Sequence, residues 1–274
     1  MAATPSAPDS DAAAPGGPPP PAPLRLRFAE RIAAGVVVLL LAAAAYAAFT
    51  LAREWGYLTP RASVGSLPLV EVPARQGTHG DLLIVLLSAD GGWARLDQEL
   101  AARLSAEGYP VVGWNSLRYY STPRTPAVAA DDLTAVMHAY RRKWHRPRVL
   151  LVGYSFGADV LPIVAAQLPR DDRARVAGVV LLGFWADAEF QFKPAEWVGR
   201  ETGVREYATL PDARRLADVP VLCIGGDHDR RSVCSRIGTP NVRALTVPAG
   251  HGLGAHVSQV FRLMQPLLRK VDDE

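Results

Sequence analysis

The sequence is poor in the residues that build disulfide scaffolds, zinc sites and nucleic-acid surfaces. It contains 2 cysteines and 6 histidines in 274 residues. Two thiols are too few for a disulfide-dense scaffold or a four-thiolate zinc site. The 30 basic and 27 acidic residues nearly balance, whereas nucleic-acid binding needs a clustered basic excess. Because 49% of the residues are hydrophobic and 21% are charged, the composition also excludes a disordered or fibrous chain.

The hydrophobic excess is concentrated near the N-terminus. Residues 1–24 hold 8 prolines among alanine, glycine and serine, so we expect residues 1–31 to form a disordered Pro/Ala-rich tail. Residues 32–52 contain no charged side chain, and a helix of this length reaches about 30 Å, the thickness of a bilayer core. Signal-peptide cores are shorter, which favours an uncleaved transmembrane anchor, although the small residues at 42–48 leave cleavage open.

Charges at the two ends of this span predict its orientation. Three arginines within residues 25–31 precede it, whereas the charges at residues 53–54 cancel. The positive-inside rule then places the N-terminus in the cytoplasm. Trp55 and Tyr57 follow the far end, where amphipathic rings favour the membrane interface. We therefore expect a single-pass protein of a bacterial inner membrane, with everything after the span in the periplasm.

Beyond a linker at residues 53–66, residues 67–274 alternate apolar runs with amphipathic stretches. Strands are predicted at residues 81–87, 111–113, 148–152, 176–182, 219–224 and 242–247, and helices at residues 93–107, 127–144, 158–168 and 257–271. Continuous apolar runs are typical of strands buried on both faces. The alternation predicts an α/β domain whose mostly parallel sheet is covered by helices on both faces.

A candidate nucleophile lies between a predicted strand and a predicted helix. Residues 153–157 read GYSFG, and a G-x-S-x-G turn in this setting is the nucleophile elbow of the α/β-hydrolase fold. Ser155 is the expected nucleophile. The backbone amide of Phe156, at the N-terminus of the following helix, is expected to stabilise an oxyanion.

The remaining members of a catalytic triad should follow in the order acid, then histidine. His251 comes directly after the last predicted strand, and His256 at the start of the final helix is the alternative. The acid should lie in residues 225–229, which read GGDHD. We favour Asp229 and keep Asp227 as the alternative. Either acid would orient the imidazole and stabilise its charged form.

The second oxyanion donor should come from the loop after the first predicted strand. Residues 88–93 read SADGGW, and we favour the backbone amide of Asp90, with that of Ala89 as the alternative. This chemistry uses no cofactor or metal. Cys223 and Cys234 flank the acid loop, and they are expected either to form a disulfide in an oxidising compartment or to remain as two buried thiols.

Three motifs together resemble the bacterial virulence protein family VirJ/AcvB. They are SADGGW at residues 88–93, GWNSLRYY at residues 113–120 and GYSFGADVLP at residues 153–162. The likeness runs from about Leu67 to the C-terminus, and the spacing of the two cysteines also resembles the family pattern. The resemblance implies a periplasmic α/β-hydrolase whose triad positions are occupied by Ser155, Asp229 and His251.

The resemblance further implies a substrate, lysyl-phosphatidylglycerol, from which the family releases lysine. Family members are also linked to the export of virulence factors, which implies a secretion-system partner. The chain departs from the family where Gly252 and Leu253 follow His251 in place of a second histidine and an aromatic residue. It also has room for one hydrolase domain only, whereas the longer AcvB form carries an additional N-terminal region.

A lysyl ester is cationic, so its pocket should offer a carboxylate. Asp159 is the nearest candidate in sequence to the nucleophile, and it could equally be a structural carboxylate bonded to backbone amides. Arg118 and Tyr119 follow a strand end, where such folds build their sites. Arg118 could meet the lipid phosphate or lie on the surface. Two other functions stay open: a general periplasmic carboxylesterase or thioesterase, and a non-catalytic secretion adaptor on the same fold.

Overall fold

The structure is a computed structural model and describes residues 24–59, 62–75, 80–193 and 205–273. Its first element is the long helix α1 (Leu24–Glu54). Within α1, Arg31–Arg53 is long and apolar enough to cross a membrane, and its side chains are exposed. Because α1 begins at Leu24, the last part of the expected tail is helical; the rest of that tail lies outside the described residues. A second compact unit begins at Thr50.

This second unit is built on a seven-stranded sheet. The strands in chain order are β1 (Leu69–Val72), β2 (Leu82–Leu87), β3 (Val111–Trp114), β4 (Arg148–Tyr154), β5 (Val176–Leu182), β6 (Asp187–Glu189), β7 (Glu206–Ala208), β8 (Val221–Gly226) and β9 (Val242–Val247). The order in the main sheet is β1-β3-β2-β4-β5-β8-β9. In the described part of this sheet β1 runs antiparallel to its neighbour β3, and the other pairs are parallel. The predicted mostly parallel sheet is confirmed.

Helices cover both faces of this sheet. They are α2 (Arg95–Ala106), α3 (Ser116–Tyr119), α4 (Pro126–Lys143), α5 (Phe156–Ala165), α6 (Arg170–Arg173), α7 (Leu210–Arg214) and α8 (Val257–Asp273). Side chains of α4 and α5 pack on one face, and those of α2 and α8 pack on the other. Strands β2, β4 and β5 lie between these layers and are almost wholly buried, which explains their continuous apolar sequences.

The topology brings six loops to one end of the sheet. Parallel strands point their carboxyl ends the same way, so the loops after β2, β3, β4, β5, β8 and β9 lie there. The sequence does not predict strand β1 or the two-stranded hairpin β6–β7. These short strands are partly exposed and carry acidic residues, so they lack the continuous apolar run by which the buried strands are recognised. The hairpin lies beside the same end and, as described below, forms part of the cavity.

Candidate active site

Ser155 stands at a sharp turn between β4 and α5. Its φ of 51° is in the left-handed region, a strained conformation for a residue with a side chain. Its N–H donates to the carbonyl of Leu182 at 2.7 Å, which holds the turn against β5. A Cβ atom at Gly157 would clash with the carbonyl of Leu87, so glycine is required where α5 crosses β2. The local sequence thus builds the strained elbow that the GYSFG motif predicts.

The structure brings Ser155, His251 and Asp229 together as a hydrogen-bonded chain. Ser155 Oγ lies 2.7 Å from His251 Nε2, and His251 Nδ1 lies 3.0 Å from Asp229 Oδ2. The Asp229 side chain is 5% exposed and that of His251 is 28% exposed. A buried acid behind a partly open imidazole is the arrangement in which Nδ1–H donates to the carboxylate and Nε2 is free to accept the serine proton.

The alternatives kept open by the sequence occupy other positions. Asp227 Oδ1 accepts the backbone N–H of Ala249 at 3.1 Å and lies 3.6 Å from the exposed ring of His228. It therefore holds the loop after β9 in place rather than the imidazole of His251. His256 lies in a short helical turn just before α8, and the imidazole bonded to Ser155 is that of His251.

Trp185 contacts both the base and the acid, although nothing in the sequence singled it out. Its ring lies 4.0 Å from that of His251 between centroids, and its Nε1–H donates to Asp229 Oδ2 at 2.9 Å. The guanidinium carbon of Arg231 lies 3.7 Å from the centroid of the same tryptophan ring, within cation–π distance. Asp229 Oδ2 is thus shared between the imidazole and the indole.

These contacts decide the charge of Asp229. Burial by itself raises the pKa of a carboxyl group. Hydrogen bonds from Trp185, from His251 and from the backbone N–H of Arg231 outweigh that effect and hold the pKa of Asp229 below its usual value. The acid is therefore ionised at neutral pH and available to stabilise an imidazolium.

A cavity of about 230 Å³ opens at Ser155. Phe156 and Asp90, the residues expected to supply oxyanion donors, both line it, whereas the alternative Ala89 is buried. Phe156 is the first residue of α5, so its amide has no acceptor within the helix. Among the described residues, no three histidine, cysteine, aspartate or glutamate side chains are grouped as a metal site.

Most of the charged groups on the cavity wall are carboxylates. The hairpin β6–β7 contributes Asp187, Glu189 and Glu206 to the lining, and Asp159 contributes from α5. Asp187 and Glu189 are two residues apart on β6 and Glu206 is the register partner of Glu189, so the three share one face of the hairpin. Arg231 also lines the cavity.

Asp159 is both a structural carboxylate and part of the cavity wall. Its Oδ1 accepts the backbone N–H of Trp185 at 2.7 Å, and the residue is 6% exposed. Burial raises its pKa well above the usual value, although the Trp185 amide and the charge of Arg231 oppose the shift and the charges of Asp187 and Asp229 add to it. A cation in the cavity would therefore favour ionisation of Asp159.

Two residues expected at the substrate pocket lie elsewhere. Tyr119 is 1% exposed, and its hydroxyl donates to Asp132 Oδ2 at 2.6 Å, so the expectation that it contacts substrate is wrong. The single turn of α3 rotates this ring into the core against Trp114. Arg118 is exposed and is not among the described residues that line the cavity.

The two cysteines form a disulfide that spans the acid loop. Cys223 lies within β8 and Cys234 lies 11 residues later in a short helical turn. Asp229 is between them, so the bond closes the loop that presents the acid to His251. Of the two expectations for these cysteines, the structure shows the disulfide.

Solved structures similar to this chain share its fold at low sequence identity. Est1E from Butyrivibrio proteoclasticus, bound to ferulic acid, has a TM-score of 0.56 at 13% identity, covering 76% of this chain and 96% of Est1E. Proline iminopeptidase from Mycobacterium smegmatis has a TM-score of 0.55 at 12% identity, covering 74% of this chain and 94% of that one. MenH from S. aureus has a TM-score of 0.52 at 14% identity, covering 74% and 98%. These likenesses establish the α/β-hydrolase fold.

Sequence comparison establishes the family. No curated protein matches the chain significantly. The family model of the bacterial virulence protein VirJ matches residues 81–271, a range that runs from the start of β2 almost to the end of α8. It includes the elbow, the acid loop and the histidine described above. The chain therefore belongs to the VirJ family of bacterial virulence proteins.

Proposed function

We propose that this protein is a serine ester hydrolase that acts through Ser155, His251 and Asp229. The observation that carries the proposal is the continuous hydrogen-bonded chain from Ser155 Oγ through His251 to Asp229 Oδ2, with its serine end at a cavity. A serine hydroxyl is a weak nucleophile until a neighbouring base takes its proton. The strain at Ser155 and the buried acid behind the histidine have no comparable use in a binding protein.

The reaction follows from this geometry. Ser155 Oγ attacks the ester carbonyl carbon while its proton passes to His251 Nε2. The ester C–O bond then breaks, and the imidazolium returns the proton to the departing alcohol oxygen. Water, deprotonated by His251, attacks the acyl group on Ser155 and releases the acid. Throughout, Asp229 holds the imidazole orientation and balances its charge.

The developing oxyanion is placed against two backbone amides. Phe156 supplies one from the first turn of α5, where the helix dipole adds favourable potential. Asp90 supplies the other from the loop after β2. Loss of a single oxyanion donor costs about 10²- to 10³-fold in rate in well-studied hydrolases, so these amides are a major part of the proposed catalysis.

The substrate class that we propose is an aminoacyl phospholipid, lysyl-phosphatidylglycerol in particular. Five acidic residues line the described cavity, and their carboxyl groups suit the ammonium groups of a lysyl ester. An exposed apolar helix long enough to cross a membrane would keep the enzyme at a lipid substrate. The arginines before the uncharged residues 32–52 and the disulfide support a bacterial inner-membrane protein with its hydrolase domain in the periplasm.

The test is hydrolysis of lysyl-phosphatidylglycerol by the full chain reconstituted in vesicles. We expect free lysine to appear, measured by mass spectrometry, and Ser155→Ala to abolish its release while leaving the protein folded. Hydrolysis of short soluble esters without release of lysine would identify a general esterase or thioesterase. Folded protein that hydrolyses neither substrate would contradict the proposal and favour the adaptor function.

A further inference from the structure

The linker that follows the apolar helix is packed against the domain at a point of close approach. Gly56 is buried and has a φ of +77°, and a Cβ added to it would lie 2.7 Å from backbone atoms of Pro123 and Arg124. Any side chain here would therefore separate the linker from this loop. Gly65, later in the same linker, has no atom within 4 Å of such a Cβ.

Three hydrogen bonds continue the contact that Gly56 begins. Tyr57 Oη accepts from Arg205 Nη1 at 3.0 Å, and Thr59 Oγ1 donates to the carbonyl of Pro123 at 2.8 Å. The backbone N–H of Ala62 donates to Asp132 Oδ1 at 3.2 Å. The linker is thus attached to the loop before α4, to α4 itself and to the residue that precedes β7.

The surfaces that receive the linker are continuous with the cavity wall. Arg205 directly precedes Glu206, which lines the cavity. The backbone N–H of Arg124 donates to the carbonyl of Phe190 at 3.0 Å, and Phe192, two residues on, also lines the cavity. The linker and the cavity therefore share one structural wall, the hairpin β6–β7 with its flanking residues.

If the apolar helix spans a bilayer, this wall must lie close to the bilayer surface. The apolar segment ends at Arg53, and the three residues from there to Gly56 reach at most about 10 Å. Trp55, Tyr57 and Leu58 are 44%, 56% and 51% exposed. Exposed aromatic and apolar side chains directly after a span suit the headgroup region of a membrane.

We infer that the linker holds the cavity mouth against the membrane surface, so that the ester enters the site from the adjacent leaflet. The inference rests on the proposed lipid hydrolysis and adds an orientation to it. The partner surface is a phospholipid bilayer. Release of the linker contact should lower access to lipid esters and leave the reaction of soluble esters unchanged, because none of the described linker residues lines the cavity.

The first experiment compares Gly56→Ala with its matched control Gly65→Ala. Both full-length variants are assayed on a short soluble ester and on lysyl-phosphatidylglycerol in the vesicles that hold the protein. We expect Gly56→Ala to lower the ratio of lipid to soluble activity about tenfold, because a reoriented site loses effective concentration, and Gly65→Ala to keep the ratio. Equal ratios for the two variants would overturn the inference, whereas inactivity of the wild type on both esters would instead refute the proposed function.

The second experiment measures orientation without using activity. Fluorophores are attached at Ser121→Cys, before α4, and at His145→Cys, after it. The 18 residues of α4 separate these positions by about 27 Å, and Tyr120 packs on Phe156 of the cavity. Energy transfer to acceptors on lipid headgroups should be stronger from position 121. Equal transfer, or stronger transfer from position 145, would overturn the inference even if Gly56→Ala fails to fold.

Discussion

The two walls of the cavity are built in different ways. One consists of loops at the ends of the most buried strands, β2 and β4, and carries Asp90, Ser155 and Phe156. The other is a hairpin of two three-residue strands that places Glu189 directly opposite Glu206. Like charges opposite each other destabilise a ladder. The position of the reacting groups therefore depends on the core, whereas the charge of the pocket depends on a small element outside the main sheet.

The largest effects are expected on the core side. Ser155→Ala and His251→Ala should each lower kcat by about 10⁶-fold, and the double variant no further, because the triad acts as a unit. Asp229→Asn should cost about 10⁴-fold, since it disturbs the histidine tautomer and leaves the nucleophile in place. Steady-state kinetics on a soluble ester measures all four.

Asp227→Asn is the control for the acid, because this residue bonds the Ala249 amide and not His251. We expect it to retain activity within a few-fold of wild type. If Asp227→Asn lost most of its activity and Asp229→Asn kept an activity near that of the wild type, the assignment of the acid would be wrong. The description of the fold would not be affected.

The next largest effect is expected from the disulfide, which should stabilise the folded state. It joins residues 11 apart, and closing a loop of this size stabilises the folded state by roughly 2 to 4 kcal/mol in the chain-entropy model. Replacing Cys223 and Cys234 together by serine should lower the free energy of unfolding by that amount in urea denaturation. In the wild type, mass spectrometry of unreduced peptides checks whether Cys223 and Cys234 are bonded. Two free thiols would contradict the pairing.

Trp185 connects the two walls, and its removal should have an intermediate effect. Trp185→Phe keeps a ring against His251 but deletes the donor to Asp229. We expect kcat to fall about tenfold with KM little changed, since a hydrogen bond to a charged group is worth about 1.5 to 3 kcal/mol. The pKa of Asp229 should rise because one of the groups that lowers it is gone.

The pH profile separates this role from a merely structural one. Catalysis needs the ionised Asp229 carboxylate, and loss of the Trp185 hydrogen bond raises the pKa of this group, so the acidic limb of kcat/KM should move to higher pH. An unchanged limb together with a lower kcat would show that Trp185 only packs against the histidine.

The smallest kinetic effects are expected from substitutions in the hairpin β6–β7. Asp187→Asn and Glu206→Gln each remove one negative charge from the cavity wall, and we expect each to raise KM about 1.5-fold to fivefold for a lysyl ester, the range of a partly exposed ion pair. KM for a neutral ester should not change. Glu107→Gln, an exposed position outside this lining, is the matched control. An equal rise for both esters would show that the hairpin shapes the cavity without selecting charge.

The sequence predicts the core side of the site far better than the hairpin side. Residues 148–157 combine a buried apolar run with two glycines that the packing requires, so the strand and elbow are recognisable locally. Trp185 has no such pattern, because its role arises only when the loop after β5 meets those after β8 and β9. The choice between Asp227 and Asp229 also needed structure, since both lie in one turn and only their directions differ.

Side-chain direction also explains why Tyr119 does not contact the substrate pocket. Tyr119 follows β3 at the functional edge of the sheet, as expected, but the turn of α3 points it towards Asp132. A three-residue strand such as β6 cannot show alternation, and its partner β7 follows only after residues 190–205. Pairing across such a separation is not readable from local periodicity.

The central claim, that Ser155 is a nucleophile activated by His251, is tested most directly by covalent labelling. A fluorophosphonate should form one adduct on the folded protein, located on Ser155 by peptide mass spectrometry. Ser155→Ala should give no adduct, and His251→Ala should react far more slowly, because the hydroxyl has lost its base. Folded wild-type protein that remains unlabelled, or a label on another residue, would contradict the account.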